Sequence, residues 1–103
     1  MVLQENKNLR DYELVVILNP ELAEEAIEGA IARISKYITD NGGNIVNVDK
    51  WGKKRLAYTI KASNEGFYIM AKFKLQPKFT RELESNLKIS EEVLRHLLTK
   101  IES

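Results

Sequence analysis

There is no cysteine among the 103 residues, so neither a disulfide framework nor a thiolate metal site is open to this chain, and a reducing cytosol suits it. It has one histidine, His96, too few for a histidine-rich zinc site, and without cysteine it has no thiol nucleophile for that histidine to activate. In an apolar final segment a lone imidazole reads as a packed or surface side chain. No apolar run approaches the roughly 20 residues that span a bilayer, and residues 1–8 are mostly polar and lack a signal-peptide core. Gly-rich phosphate loops are missing too: Gly42 and Gly43 precede a strand, where a helix cap is the natural reading. Together these absences exclude most catalytic chemistry and call for no cofactor, metal, membrane or small-molecule substrate.

What is present is a single core's worth of chain, since about 100 residues bury some 60–65% of their unfolded surface. We expect a flexible extension over residues 1–9 and one domain over 10–103. Sixteen basic and 15 acidic residues give a net charge of +1, but the charge is uneven. From Asp49 to Lys61 five cations (Lys50, Lys53, Lys54, Arg55, Lys61) face one carboxylate, a local +4 that leaves −3 on the rest of the chain. Acid gathers at Glu21, Glu24, Glu25 and Glu28. There a carboxylate-rich first turn complements a helix N-terminus, and a solvated face is the reading rather than a metal site.

Tyr12–Leu18 is β-branched and apolar apart from Glu13, which suits a buried strand. Asn19 and Pro20 predict the start of a helix, since one offers a capping oxygen and the other needs no N–H partner. Its stripe is Leu22, Ala26, Ile27, Ala30, Ile31, Ile34, Tyr37 and Ile38, ended by Asn41-Gly42-Gly43. From Asn44 to Ile60 the period shortens to that of one long strand, interrupted near Gly52 by a bulge. Ser63–Gly66 reads as a turn, followed by strict alternation: Phe67, Ile69, Ala71, Phe73 and Leu75 on one face, Tyr68, Met70, Lys72 and Lys74 on the other. Pro77 opens a second helix with Phe79, Leu83 and Leu87 on one stripe. The last segment, Val93–Ile101, has helical periodicity, yet topology favours a strand. As a strand it completes βαββαβ, an α+β fold with both helices on one face and the last strand beside the first.

One stretch combines cations with aromatics: Lys50-Trp51-Gly52-Lys53-Lys54-Arg55-Leu56-Ala57-Tyr58. Lysine and arginine suit phosphates, arginine adds a planar fork, and tryptophan or tyrosine offers a ring to unpaired bases. A hairpin arm with solvated lysines and core aromatics fits the same spacing equally well.

The run Gly52-Lys53-Lys54-Arg55-Leu56-Ala57-Tyr58-Thr59-Ile60 resembles the signature of the bacterial small-subunit ribosomal protein six family. Tyr12-Glu13, Leu18-Asn19-Pro20, Gly66-Phe67-Tyr68 and Pro77 follow in that family's order and spacing, so the resemblance covers Arg10 to Lys100. It implies a ferredoxin-like βαββαβ sandwich, a four-stranded antiparallel sheet with two helices on one face. It also implies a cytoplasmic, structural place in the small ribosomal subunit, binding the central domain of the small-subunit ribosomal RNA together with small-subunit protein eighteen. Carried over by position, the RNA-side candidates are Arg10, Tyr12, Lys53, Lys54, Arg55, Tyr58, Lys88 and Arg95. The partner-side candidates lie along the second strand, at Ile45, Asn47, Asp49 and Trp51.

Three other functions share the element order. An RNA-recognition motif needs a basic residue, glycine and aromatics on its third strand; Glu65 precedes Gly66 here and Ile69 stands at the aromatic phase, so base stacking on a bare sheet is not expected. An acylphosphatase-like enzyme needs a phosphate cradle after the first strand, where Asn19-Pro20-Glu21 puts acid instead. A ligand-sensing or protein-interaction domain of ferredoxin-like type is compatible with the fold, though such domains usually accompany an effector domain for which the chain leaves no room.

Overall fold

The computed structural model describes residues 9–60 and 63–101. The extension expected over residues 1–9 therefore lies, apart from Leu9, outside the described residues, as does Lys61. The elements run β1 (Arg10–Leu18), α1 (Glu24–Asp40), β2 (Asn44–Ile60), β3 (Ser63–Leu75), a 3-10 turn at Pro77–Phe79, α2 (Thr80–Ile89) and β4 (Val93–Lys100). The sheet order is β2-β3-β1-β4, and every pairing is antiparallel. The expected α+β, ferredoxin-like arrangement is thus the observed one, with the last segment a strand beside β1.

Alternation on β1 and β3 puts Tyr12, Leu14, Val16 and Leu18 on the same face as Ile69, Ala71, Phe73 and Leu75, all buried. Ile27, Ala30 and Ile38 of α1 and Leu83 and Leu87 of α2 close over that face in one continuous core. Each fully buried Leu or Phe here contributes about 1.5–3 kcal/mol relative to exposure. Both helices lie on this side, so among the described residues no helix covers the opposite face of the sheet.

α1 begins later than Asn19 and Pro20 predict. Asn19 Oδ1 accepts the Glu21 N–H at 2.9 Å and the Leu22 N–H bonds back to the Asn19 carbonyl at 3.2 Å, so these residues form a turn of their own. The helix proper starts after Ala23, which offers no side-chain cap, and Glu24 and Glu25 complement the free N–H groups of its first turn. Its end is as expected: Gly42 takes a φ of +83° and the Gly43 N–H returns to the Ile38 carbonyl at 2.8 Å.

The turn expected at Ser63–Gly66 is strand instead: β3 begins at Ser63, and Lys54–Gly66 and Arg55–Glu65 are ladder pairs. β1 ends at Leu18, opposite Phe67. Beyond that point β2 and β3 continue alone as a two-stranded arm. Register breaks occur between Ile45 and Asn47, between Lys50 and Gly52, and between Arg55 and Ile60. Gly52, at φ +88°, supplies the bulge anticipated there, in a conformation that side chains other than glycine's resist.

Candidate nucleic-acid interface

The bulges bend the arm back across the uncovered face. Ladder parity puts Val15, Ile17, Tyr68, Leu97 and Arg95 on that face, because Val15 pairs with Leu97 and Met70, and Ile17 with Arg95 and Tyr68. Leu56, Tyr58 and Ile60 of the arm come down on these residues and enclose with them a cavity of about 270 Å³. Leu56 is 8% exposed as a result. Gly66 permits the approach: a Cβ there would sit 2.3 Å from Ile17 Cγ2 and 3.4 Å from Leu56 Cδ2. At the rim the Arg95 guanidinium donates to the Tyr58 hydroxyl and ties the arm to β4.

Four of the RNA-side candidates converge on the arm. Lys53, Lys54, Arg55 and Tyr58 follow one another along β2, all exposed, and Arg95 reaches Tyr58 from across the sheet. Among the described residues Lys53, Lys54 and Arg55 form no ion pair, although Glu65 stands opposite Arg55 in the ladder. Lys50, counted among the cations of this stretch, differs. Its ammonium donates to Glu28 of α1, and that hydrogen bond, with the nearby carboxylates, raises its pKa. The basic stretch is therefore divided at the Gly52 bulge into a paired residue facing the helices and an unpaired run facing solvent.

The other RNA-side candidates do not join this group. Arg10 pairs with Leu75 at the opposite end of β1, eight residues or about 26 Å from Leu18 at the rise of an extended strand. Lys88 is exposed on α2, lining a shallow cleft with Arg81, Glu84 and His96 on the helix side of β4. Tyr12 is a correction. It is 6% exposed and stacked on Phe73 at 5.8 Å, and burial raises its pKa, so its ring belongs to the core and is not offered to a base.

β2 is an edge strand with one side of its ladder unpaired. The partner-side candidates divide across its faces: Ile45 pairs with Phe73 and packs on the core, whereas Asn47, Asp49 and Trp51 lie toward the open face. The bulge between Ile45 and Asn47 leaves Val46 59% exposed, a residue that alternation alone did not single out. Trp51 is 46% exposed and stacks on Tyr68 at 6.5 Å. Tyr68 was overlooked as a site residue, although its phase, opposite to that of Phe67 and Ile69, already set it on the uncovered face. Ile69 is indeed buried under the helices, yet the face it leaves is not bare of aromatics.

His96 Nε2 lies 3.1 Å from Glu84 Oε1 on the helix side, a partner that accounts for this lone imidazole without chemistry. No group of three or more His, Asp or Glu side chains among the described residues is placed to hold a metal ion, and no described helix is long and apolar enough to cross a membrane.

Comparison with known proteins bears on the same arrangement. A profile described as Ribosomal protein S6 matches residues 11–100. The small ribosomal subunit protein bS6 of Moorella thermoacetica is 43% identical over 94 residues, covering 91% of this chain and 96% of the relative. That of Heliobacterium modesticaldum is 42% identical over 92 residues, covering 89% and 96%. The crystal structure of 30S ribosomal protein S6 from Thermotoga maritima superposes with a TM-score of 0.84 at 31% identity, over 90% of this chain and 88% of that one.

Proposed function

The chain belongs to the ribosomal protein S6 family, and from that premise we propose that it grips the central domain of the small-subunit ribosomal RNA with its β2–β3 arm, in company with small-subunit protein eighteen. Membership itself makes it a structural constituent of the small ribosomal subunit in the cytoplasm, associated with that subunit's RNA, and not an enzyme. The finer reading concerns which surfaces do the work.

One observation carries it: Lys53, Lys54 and Arg55 stand exposed on the arm with no ion-pair partner among the described residues, while Lys50, three residues before Lys53, is neutralised by Glu28. An exposed cation with no carboxylate partner is free to replace the counterions condensed on an RNA backbone, and their release drives binding. Tyr58 and Arg95 extend the surface with a ring and a fork. Phosphate contacts of this kind position a protein, while the shape of an RNA junction supplies the selectivity.

The outer side of β2, with Val46 and Trp51 exposed and main-chain groups unpaired, suits the protein partner, because an open strand edge offers hydrogen bonds and side-chain contacts together. With a net charge of only +1, the isolated chain should bind RNA weakly and gain strongly when protein eighteen is added. The deciding experiment compares RNA affinity of the pair across a salt series. Lys54→Ala with Arg55→Ala should weaken binding and flatten the slope of log K against log salt by roughly 0.7–0.9 for each phosphate no longer neutralised. An unchanged slope rejects the arm as the RNA contact.

A further inference from the structure

We propose that the cavity between the arm and the open sheet face receives one unstacked nucleobase of the bound RNA, an inference that rests on the RNA-binding role of the arm. Its volume, about 270 Å³, falls just below the roughly 300 Å³ at which pockets for drug-sized ligands begin, so it suits one planar ring system rather than a peptide segment. Its walls are the chemistry a base seeks. Tyr58 and Tyr68 supply aromatic rings, and Ile17, Leu56 and Leu97 supply apolar surface.

The rim selects a nucleotide over an apolar side chain. Arg95 stands at the cavity with one of its five N–H donors used on Tyr58, and Lys53, Lys54 and Arg55 follow the same strand as Tyr58. A base attached to a phosphate chain satisfies both parts, ring inside and charge outside. Leu97, 61% exposed, and Tyr58, 58% exposed, would be covered by such an occupant. Because the arm is held over the sheet by Gly66 against Ile17 and by Arg95 on Tyr58, the slot exists before any ligand arrives.

The test uses the full chain in solution, with adenosine 5′-monophosphate and, lacking a base, ribose 5-phosphate as probes. Methyl signals of Ile17, Leu56 and Leu97 are followed by NMR. The nucleotide should shift all three while ribose 5-phosphate leaves them in place. Tyr58→Leu should weaken nucleotide binding by roughly 5- to 100-fold relative to Tyr58→Phe, which loses the same bond to Arg95 but keeps the ring, so that the difference is the worth of one aromatic–base stack. On the same comparison Tyr58→Leu should lower RNA affinity of the pair without altering its salt slope.

Two results overturn the proposal and are distinguishable from failure of the arm as an RNA contact. In the first, RNA still binds with a slope that depends on Lys54 and Arg55, but the nucleotide shifts none of the three methyls and Tyr58→Leu behaves as Tyr58→Phe. In the second, protein eighteen alone shifts those methyls and the nucleotide does not, which gives the cavity to the protein partner. Absence of the salt-slope effect itself removes the premise, and the proposal falls with it.

Discussion

The arm and the rest of the molecule treat charge in different ways. Away from the arm several cations find carboxylates: Arg33 with Glu92, Lys36 with Asp40 at 2.9 Å, Lys50 with Glu28, and, on the open face toward the far end of β1, Lys74 with Asp11 at 3.1 Å. On the arm, Lys53, Lys54 and Arg55 have no such partner among the described residues, and Arg95 spends a donor on the Tyr58 hydroxyl. Exposed ion pairs add only about 0–1 kcal/mol of stability, so the pairing does little to hold the helices down. Its consequence is electrostatic: within the basic stretch Lys50 presents a charge already compensated, while the arm beyond Gly52 presents a run of cations with no carboxylate partner among the described residues.

The same contrast holds for apolar surface. Under the helices Leu14, Leu18, Phe73 and Leu75 are at most 1% exposed, and their burial defines the fold. On the open face Trp51, Tyr58 and Leu97 remain 46–61% exposed. Stability thus rests on one side of the sheet, and the proposed recognition surface on the other.

Substitutions can break that division, and the largest effect belongs to the core. Phe73→Ala should destabilise the protein by about 3–5 kcal/mol in urea unfolding, since its side chain is buried between β1 and the helices. Gly66→Val puts branched carbon where Ile17 already lies; it should cost about 1–3 kcal/mol and lift the arm, lowering RNA affinity as well. Lys50→Ala sharpens the comparison from within the basic stretch. Because Glu28 already neutralises Lys50, this change should leave the salt slope of RNA binding where it was, unlike removal of the Lys54 charge.

The smallest effect is a pH dependence on the helix side. The Tyr37 hydroxyl lies 2.9 Å from Glu82 Oε1 and 3.1 Å from the Phe79 carbonyl, linking α1 to α2. Burial first, then the hydrogen bond to Glu82 and its charge, push this phenol up from 10.0 to about 12. In the unfolded chain it ionises near 10, so its contribution to stability is complete below pH 10 and is lost as pH rises through 12. Tyr37→Phe should remove that part of the alkaline decline in denaturant unfolding, and leave RNA binding near neutral pH untouched.

Much of this was legible in the sequence because period and chemistry agreed. The alternation of β3 is a local signal that tertiary contacts reinforce, whereas Pro77, expected to open the second helix, opens a 3-10 turn and α2 itself starts at Thr80. β4 shows where they diverge. Val93 and Leu94 are both buried, and Leu97 and Leu98 point to opposite faces, since the arm makes the second face partly apolar; neighbouring apolar pairs then imitate a helical stripe. Tyr12 joins the RNA-side candidates only by position in a motif, which says nothing of depth, whereas its phase with Leu14 and Val16 assigns it to the core. The return of the arm over the sheet depends on three register breaks and on Gly66 meeting Ile17 across some fifty residues, a contact no local pattern encodes.

Amine-reactive footprinting of the free protein and of intact small subunits tests the division most directly. Lys53 and Lys54 should react readily in the free chain and be protected in the subunit, while Lys36 on α1 reacts in both. Equal reactivity of Lys53 and Lys54 in the two states would contradict the account.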